Sequence, residues 1–144
     1  MTEPLYTNEI LRLAASLGEP RPLKREDGRA ELRSPTCGSR VAVAVELDRD
    51  RRIRAISQQV HACAFGQATA ALVERHARGR THDDIADALI GLSRWLSSER
   101  HDAHHDAAAW PGLEVLTPAR SRSGRHGAIL LPFRALLAAI EAAP

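Results

Sequence analysis

The chain is poor in aromatic side chains, in cysteine and in long apolar runs. Phe, Trp and Tyr make up 3% of its 144 residues, so a core must consist mainly of Leu, Val, Ile and Ala. No apolar run approaches the roughly 18–20 residues that a membrane span needs, and residues 1–20 lack the pattern of a signal peptide. We therefore expect one cytoplasmic domain over residues 1–144, without a membrane partner.

The charge is nearly balanced, which argues against a nucleic-acid-binding protein. The net charge is +2, and the arginines behind the pI of 8.9 are scattered among acidic residues. The tightest basic run, residues 120–125, could contact phosphate, but no aromatic side chains accompany it. We expect this run to be a solvated loop and predict no nucleic-acid partner.

The hydrophobic pattern changes from period two to helical along the chain. The clearest strand is residues 40–47, where Val41, Val43, Val45 and Leu47 alternate with Ala42, Ala44 and Glu46. We predict an α+β fold: a three-stranded antiparallel sheet with an N-terminal helix and several C-terminal helices packed on it. Pro132 should lie in the first turn of the last helix, because proline breaks a helix interior. The predicted elements are a helix near residues 8–17, strands at 23–33, 40–47 and 53–60, and helices at 64–78, after Thr81, and at 128–142.

The two cysteines lie where predicted elements begin or end. Cys37 is in a turn between two strands, and Cys63 is between a strand and a helix. In a reducing compartment they are free thiols or ligands rather than a disulfide. A helix N-terminus favours thiolate, the form that binds zinc or iron and accepts persulfide sulfur. The hairpin over residues 40–60 could bring both cysteines to the same end of the sheet; two unrelated buried thiols are the alternative.

The histidines offer further candidate ligands. His101, His104 and His105 lie in a polar stretch that could bind a divalent ion, although a solvated loop is the simpler interpretation. His61 precedes Cys63 by two residues, so on a strand both would point to one face.

Five segments of the chain match the motifs of a known protein family: residues 8–11, 34–38, 63–74, 79–81 and 125–136. Through these segments the chain resembles the iron–sulfur cluster scaffold family of the IscU, SufU and NifU N-terminal type. The resemblance implies a non-enzymatic α+β protein that receives sulfur from a cysteine desulfurase, assembles a labile cluster on three cysteines and passes it to acceptor proteins. An insertion between Thr81 and Arg125 is similar to the SufU branch, whose members bind zinc and accept persulfide sulfur.

The departures from the family pattern define the expected site. Cys37 and Cys63 match two of the family's cysteines, and His126 matches the histidine that precedes the third. Ser39 stands where the family has an acidic ligand, and Gly127 or Ala128 where it has the third cysteine. We predict cofactor binding by Cys37 and Cys63, and a metal site formed by these cysteines with His126.

The expected cargo is a transient iron–sulfur cluster or a zinc or iron ion, and the expected partners are a cysteine desulfurase and acceptor proteins. One alternative is a degenerate scaffold that binds partners without a cluster. The other is a persulfide relay that uses one cysteine.

Overall fold

The computed structural model describes residues 6–35, 38–98 and 110–144. It confirms the predicted α+β architecture, with a helix first, then three strands, then a series of helices. Two short 3-10 helices, Leu113–Ala119 and Ser123–Arg125, precede the last α-helix. The main elements are α1 (Asn8–Ala15), β1 (Gly28–Arg33), β2 (Arg40–Leu47), β3 (Ile53–His61), α2 (Ala64–His76), α3 (His82–Ser97) and α4 (His126–Glu141).

The three strands form one antiparallel sheet in the order β1-β2-β3. β2 has the bounds that its alternating pattern predicts, and a register irregularity occurs between Glu46 and Leu47. Val41, Val43 and Val45 are buried on the face that carries the helices. The opposite face carries charged and small polar side chains.

The helices form two layers over the apolar face of the sheet. α4 packs across β1 and β2 while α2 packs on β3, and the two helices contact each other. α1 lies against α2, and α3 lies against α4. Gly28 is the point of closest approach between sheet and helix, since a Cβ there would lie against the carbonyl oxygen of Ala139.

Side-chain caps set the starts of two helices. Thr7 Oγ1 accepts from the Ile10 backbone N–H at 3.1 Å, which begins α1. Thr81 and Asp84 form a reciprocal capping box at the start of α3, the helix that the sequence predicts after Thr81. The pKa of Asp84 lies below its usual value, chiefly because its carboxylate accepts a hydrogen bond from the Thr81 backbone N–H.

The prediction that Pro132 stands in the first turn of the last helix is wrong. α4 begins at His126, so Pro132 lies in its second turn. Proline cannot donate to the carbonyl four residues earlier, which here belongs to Ala128. That carbonyl oxygen faces Gly66 of α2 instead, 3.2 Å from where a Cβ on Gly66 would stand. The break in the ladder therefore coincides with the contact between the two helices.

Trp110 belongs to the core, although the stretch around it reads as polar. It is fully buried, and its Nε1–H donates to the carbonyl oxygen of Leu72 at 3.0 Å. Its ring meets Phe133 edge-on with 5.0 Å between centroids, and the Arg80 guanidinium lies 4.5 Å from its ring centroid. These contacts attach the chain after residue 109 to α2 and α4.

Within the described residues, no helix combines the length and apolar character that crossing a membrane requires.

Candidate functional site

The β1–β2 turn and the end of β3 lie at the same end of the sheet. Arg33 is paired with Arg40, and Arg40 with His61, so the three strands end in one row. The turn is closed by two backbone hydrogen bonds, from Ser34 N–H to the Ser39 carbonyl at 2.9 Å and from Gly38 N–H to the Ser34 carbonyl at 3.1 Å. Gly38 has a φ of 73°, a left-handed conformation that glycine adopts without strain.

Cys37 lies in this turn by sequence, but it falls outside the described residues. The expected proximity of its thiol to that of Cys63 therefore stays a prediction. What the structure describes is the neighbouring Gly38 and Ser39, which lie at the end of the sheet where β3 leads to Cys63.

Cys63 is the N-cap of α2. Its backbone is extended, with φ −66° and ψ 173°, and its side chain makes no capping hydrogen bond. The thiol is free and half-buried. The first amide groups of a helix have no intrahelical acceptor, so those of α2 lie beside Cys63 at its N-cap. Since β3 ends at His61, the strand alternation does not extend to Cys63, and the predicted shared face with His61 does not apply.

Gln67 fixes the turn that presents Cys63. Its side-chain Nε2 donates to the Ala62 carbonyl at 3.0 Å, and its backbone N–H donates to the Cys63 carbonyl at 3.0 Å. Both bonds hold the residues between β3 and α2 against the first turn of the helix. The position of Cys63 is therefore set by rigid elements on both sides.

His126 begins α4 and is half-buried. Its Nε2 lies 2.9 Å from the Ala119 carbonyl oxygen and 3.2 Å from that of Arg120. Because carbonyl oxygens only accept hydrogen bonds, Nε2 carries the proton, and a neutral ring then has its lone pair on Nδ1. Metal-binding histidines commonly donate their second ring N–H to such a carbonyl. The Nε2 edge of the ring is thus held against the segment that precedes α4.

The contact between α2 and α4 brings the position of the absent third cysteine next to the start of α2. A Cβ on Gly66 would stand 2.6 Å from Ala62 Cβ and 3.7 Å from Ala128 Cβ. Ala128 is fully buried in this contact, whereas Gly127 is half-buried. A side chain at position 127 therefore has the better access to an open site.

The predicted metal site of Cys37, Cys63 and His126 stays a prediction, because Cys37 falls outside the described residues. Within residues 6–35, 38–98 and 110–144, no three His, Cys, Asp or Glu side chains are placed to hold a metal ion. Cys63 and His126 are described, and Ser39 is 4% exposed. The histidine group considered as a divalent-ion site lies outside the described residues: His101, His104 and His105.

Arg120, the first residue of the basic run, has a structural role. Its Nε donates to the Trp95 carbonyl at 3.0 Å and its Nη2 to the Ser98 carbonyl at 2.7 Å. Its guanidinium also lies 5.4 Å from the centroid of the Trp95 ring. These contacts tie the end of α3 to the segment before α4, so this side chain is engaged within the protein.

Sequence reasoning missed Arg33 and Arg40 as part of this end of the sheet. Together with Gly38 and His61 they line a cleft of about 280 Å³. The pairing of the two strands across the turn at residues 34–39 was the signal that could have identified them, because residues at equal distances from a hairpin turn face each other.

No model of a protein family matches the chain, and no curated protein matches it in sequence. The solved structures with similar folds include the following three. A nitrogen-fixing NifU-like protein (N-terminal) from Brucella abortus is 28% identical, with a TM-score of 0.79 over 96% of this chain and 93% of its own. A putative iron–sulfur cluster assembly scaffold protein for the SUF system from thermophilic Fervidobacterium islandicum AW-1 is 16% identical, with a TM-score of 0.80 over 94% and 96%. A hypothetical protein solved at 2.3 Å resolution is 20% identical, with a TM-score of 0.70 over 92% and 96%.

Proposed function

We propose that this chain, a member of the NifU-like N-terminal and SufU structural family of iron–sulfur scaffolds, is itself a scaffold-type protein of iron–sulfur cluster assembly. The observation that carries the proposal is the free thiol of Cys63 at the start of α2, at the end of the sheet where the Cys37 turn also lies. The protein is a carrier rather than an enzyme. Its cargo is iron, zinc or a labile cluster.

The donor atoms suit a thiophilic metal. Thiolate sulfur and imidazole nitrogen are the ligands that zinc prefers, and thiolates also hold iron–sulfur clusters. Cys63 and Cys37 supply the sulfur atoms in this proposal, and His126 supplies Nδ1, because its Nε2 is committed to the Ala119 carbonyl. Three protein ligands leave one position open, which suits a cargo that must be released.

A persulfide relay is the second candidate, and the placement of Cys63 favours it. The thiol is half-buried, has no capping bond and needs no second ligand to accept sulfur. The Cys63 thiolate would attack the terminal sulfur of a desulfurase persulfide. A new S–S bond forms as the old one breaks, and the donor cysteine leaves as thiolate, without net oxidation. The partners in either role are a cysteine desulfurase and iron–sulfur acceptor proteins.

Metal analysis of protein purified without chelator tests the scaffold role. Wild-type protein should retain zinc or iron and, after anaerobic reconstitution with iron and sulfide, absorb visible light. Cys63→Ser and Cys37→Ser should each lose most of the metal, and His126→Ala should lower occupancy. His82→Ala, which removes an exposed histidine far along the chain from these residues, is the matched control and should retain it. X-ray absorption should show sulfur at about 2.3 Å from zinc.

Mass spectrometry distinguishes the remaining candidates. Incubation with a cysteine desulfurase and cysteine should add the mass of one sulfur to Cys63 in a relay. Wild-type protein that gains neither metal, nor visible absorbance, nor sulfur would support a partner-binding module on an inherited scaffold fold.

A further inference from the structure

Three basic side chains lie side by side on neighbouring strands, at the end of the sheet where β3 leads to Cys63. We call them the basic row. Arg33, Arg40 and His61 are direct partners in the register of the three strands, so their side chains point to one face. This face is the one that carries no helix. Arg33 and His61 are exposed, and the side chain of Arg40 is 40% exposed.

The row is poorly neutralised. Arg40 Nε lies 3.4 Å from Glu31 Oε1, and both side chains are well exposed. Within the described part of the chain, neither the Arg33 guanidinium nor the His61 ring has an ion pair or hydrogen bond. Elsewhere on this face the arginines are paired, as Arg29 is with Glu26 at 2.6 Å.

The row costs stability rather than adding to it. Like charges placed directly opposite one another on neighbouring strands are destabilising. Both arginines are cationic at any physiological pH, so the repulsion between Arg33 and Arg40 is permanent. Folding alone therefore does not account for the row, whereas binding of negative charge does.

The residues of the row are close to both cysteines in sequence. Cys63 follows His61 by two residues, and Gly38, which lines the same cleft, follows Cys37 directly. A protein that reaches Cys63 comes to the same end of the sheet as the row, because β3 ends at His61, two residues before Cys63. Sulfur or cluster exchange therefore places a partner's surface near the row.

We propose that the Arg33–Arg40–His61 row is the docking surface for an acidic segment, rich in Asp or Glu, of the protein that exchanges sulfur or cluster with this chain. The inference rests on the proposed function. Neighbouring strands are about 4.8 Å apart, so the row spans about 10 Å. An extended segment with several carboxylates can pair with each of the three side chains separately, whereas a single phosphate contacts all three only if they converge on one point.

An NMR titration of the full chain tests the surface directly. The probe is an acetylated and amidated hexaglutamate peptide, with hexaglutamine peptide and inorganic phosphate as comparisons. Hexaglutamate should shift the amide signals of Gly38, Arg40 and His61, and the binding should weaken with added salt. Hexaglutamine should shift none of them.

Two double variants test whether hexaglutamate binding depends on Arg33 and Arg40. Arg33→Gln with Arg40→Gln should weaken hexaglutamate binding about two- to thirtyfold, the loss of two exposed ion pairs. Arg29→Gln with Arg49→Gln removes the same charge elsewhere on the surface and should leave the affinity unchanged. Equal weakening in both double variants, or no hexaglutamate binding by wild type, overturns the proposal. Phosphate that matches hexaglutamate in affinity and in the residues shifted also overturns it, in favour of a small-anion site.

A second experiment tests whether this docking surface contributes to sulfur exchange. The rate of persulfide transfer from a cysteine desulfurase, followed by mass spectrometry, should fall in the Arg33→Gln, Arg40→Gln variant and stay unchanged in the control. An unchanged rate overturns the role in exchange. The peptide titration requires neither metal nor sulfur, so failure of the proposed function and failure of the docking surface are separate results.

Discussion

Replacing Gly28 with Ala should strongly destabilise the protein, because β1 and α4 come closest together there. A Cβ at this position would lie against the carbonyl oxygen of Ala139, and it would be 3.0 Å from the backbone nitrogen of Ala143. Real Cβ atoms essentially never approach other atoms within 3.0 Å. Both neighbours are backbone atoms, so no side-chain rotation relieves the clash.

The stability cost of Gly28→Ala follows from the movement of α4 that the added Cβ requires. The end of α4 has to retreat by about 1 Å or more, and the resulting strain belongs at the upper end of the 1–3 kcal/mol that overpacking costs. Ala139 and Leu136 are fully buried, so this retreat also loosens their packing. A loss of about 3 kcal/mol is a large part of a typical total of roughly 5–15 kcal/mol. It should lower the melting temperature by roughly 10 °C for a chain of this size.

Urea and thermal unfolding followed by circular dichroism measure this loss. Gly124→Ala is the matched control, because a Cβ there meets no atom within 4 Å. It should stay within about 0.5 kcal/mol of wild type. A Gly28→Ala protein as stable as this control would refute the close approach of α4 to β1.

Four further changes test the site and the fold. Gly127→Cys should raise zinc retention, measured as metal per chain, because a third thiolate strengthens binding; Ala128→Cys, at a fully buried position, should not. Thr81→Ala should cost about 1 kcal/mol in urea unfolding, since it removes a helix cap. Because the pKa of Asp84 is lowered on folding from about 3.8, its stabilisation is present above that pH and is lost as the pH falls through the lower folded value. Asp84→Asn should therefore show a smaller loss of stability on acidification to about pH 2, and equal losses would contradict this. Trp110→Phe should cost about 0.5–1.5 kcal/mol in urea unfolding, because the Leu72 carbonyl loses the indole N–H as a donor; wild-type stability would exclude that bond as a significant contribution.

Local patterns in the sequence determined the elements and their order. The alternation over residues 40–47 predicted β2 with its observed bounds, because strand periodicity depends on neighbouring residues alone. The capping box at Thr81 marked the start of α3 for the same reason. The family motifs also identified Cys63 at the turn from strand to helix, where the structure has it.

Contacts between distant parts of the chain were decided only by the tertiary structure. Trp110 stands in a polar stretch, and only the packing of α2 and α4 makes it a core residue. Pro132 lies in the second turn of α4, and the carbonyl that it leaves without a donor faces Gly66 on another helix. The basic row arises from strand register, which sets Arg33, Arg40 and His61 side by side on three strands. Such placements depend on which helix and strand faces pack together in the fold. A sequence pattern shows only which face of each element is apolar.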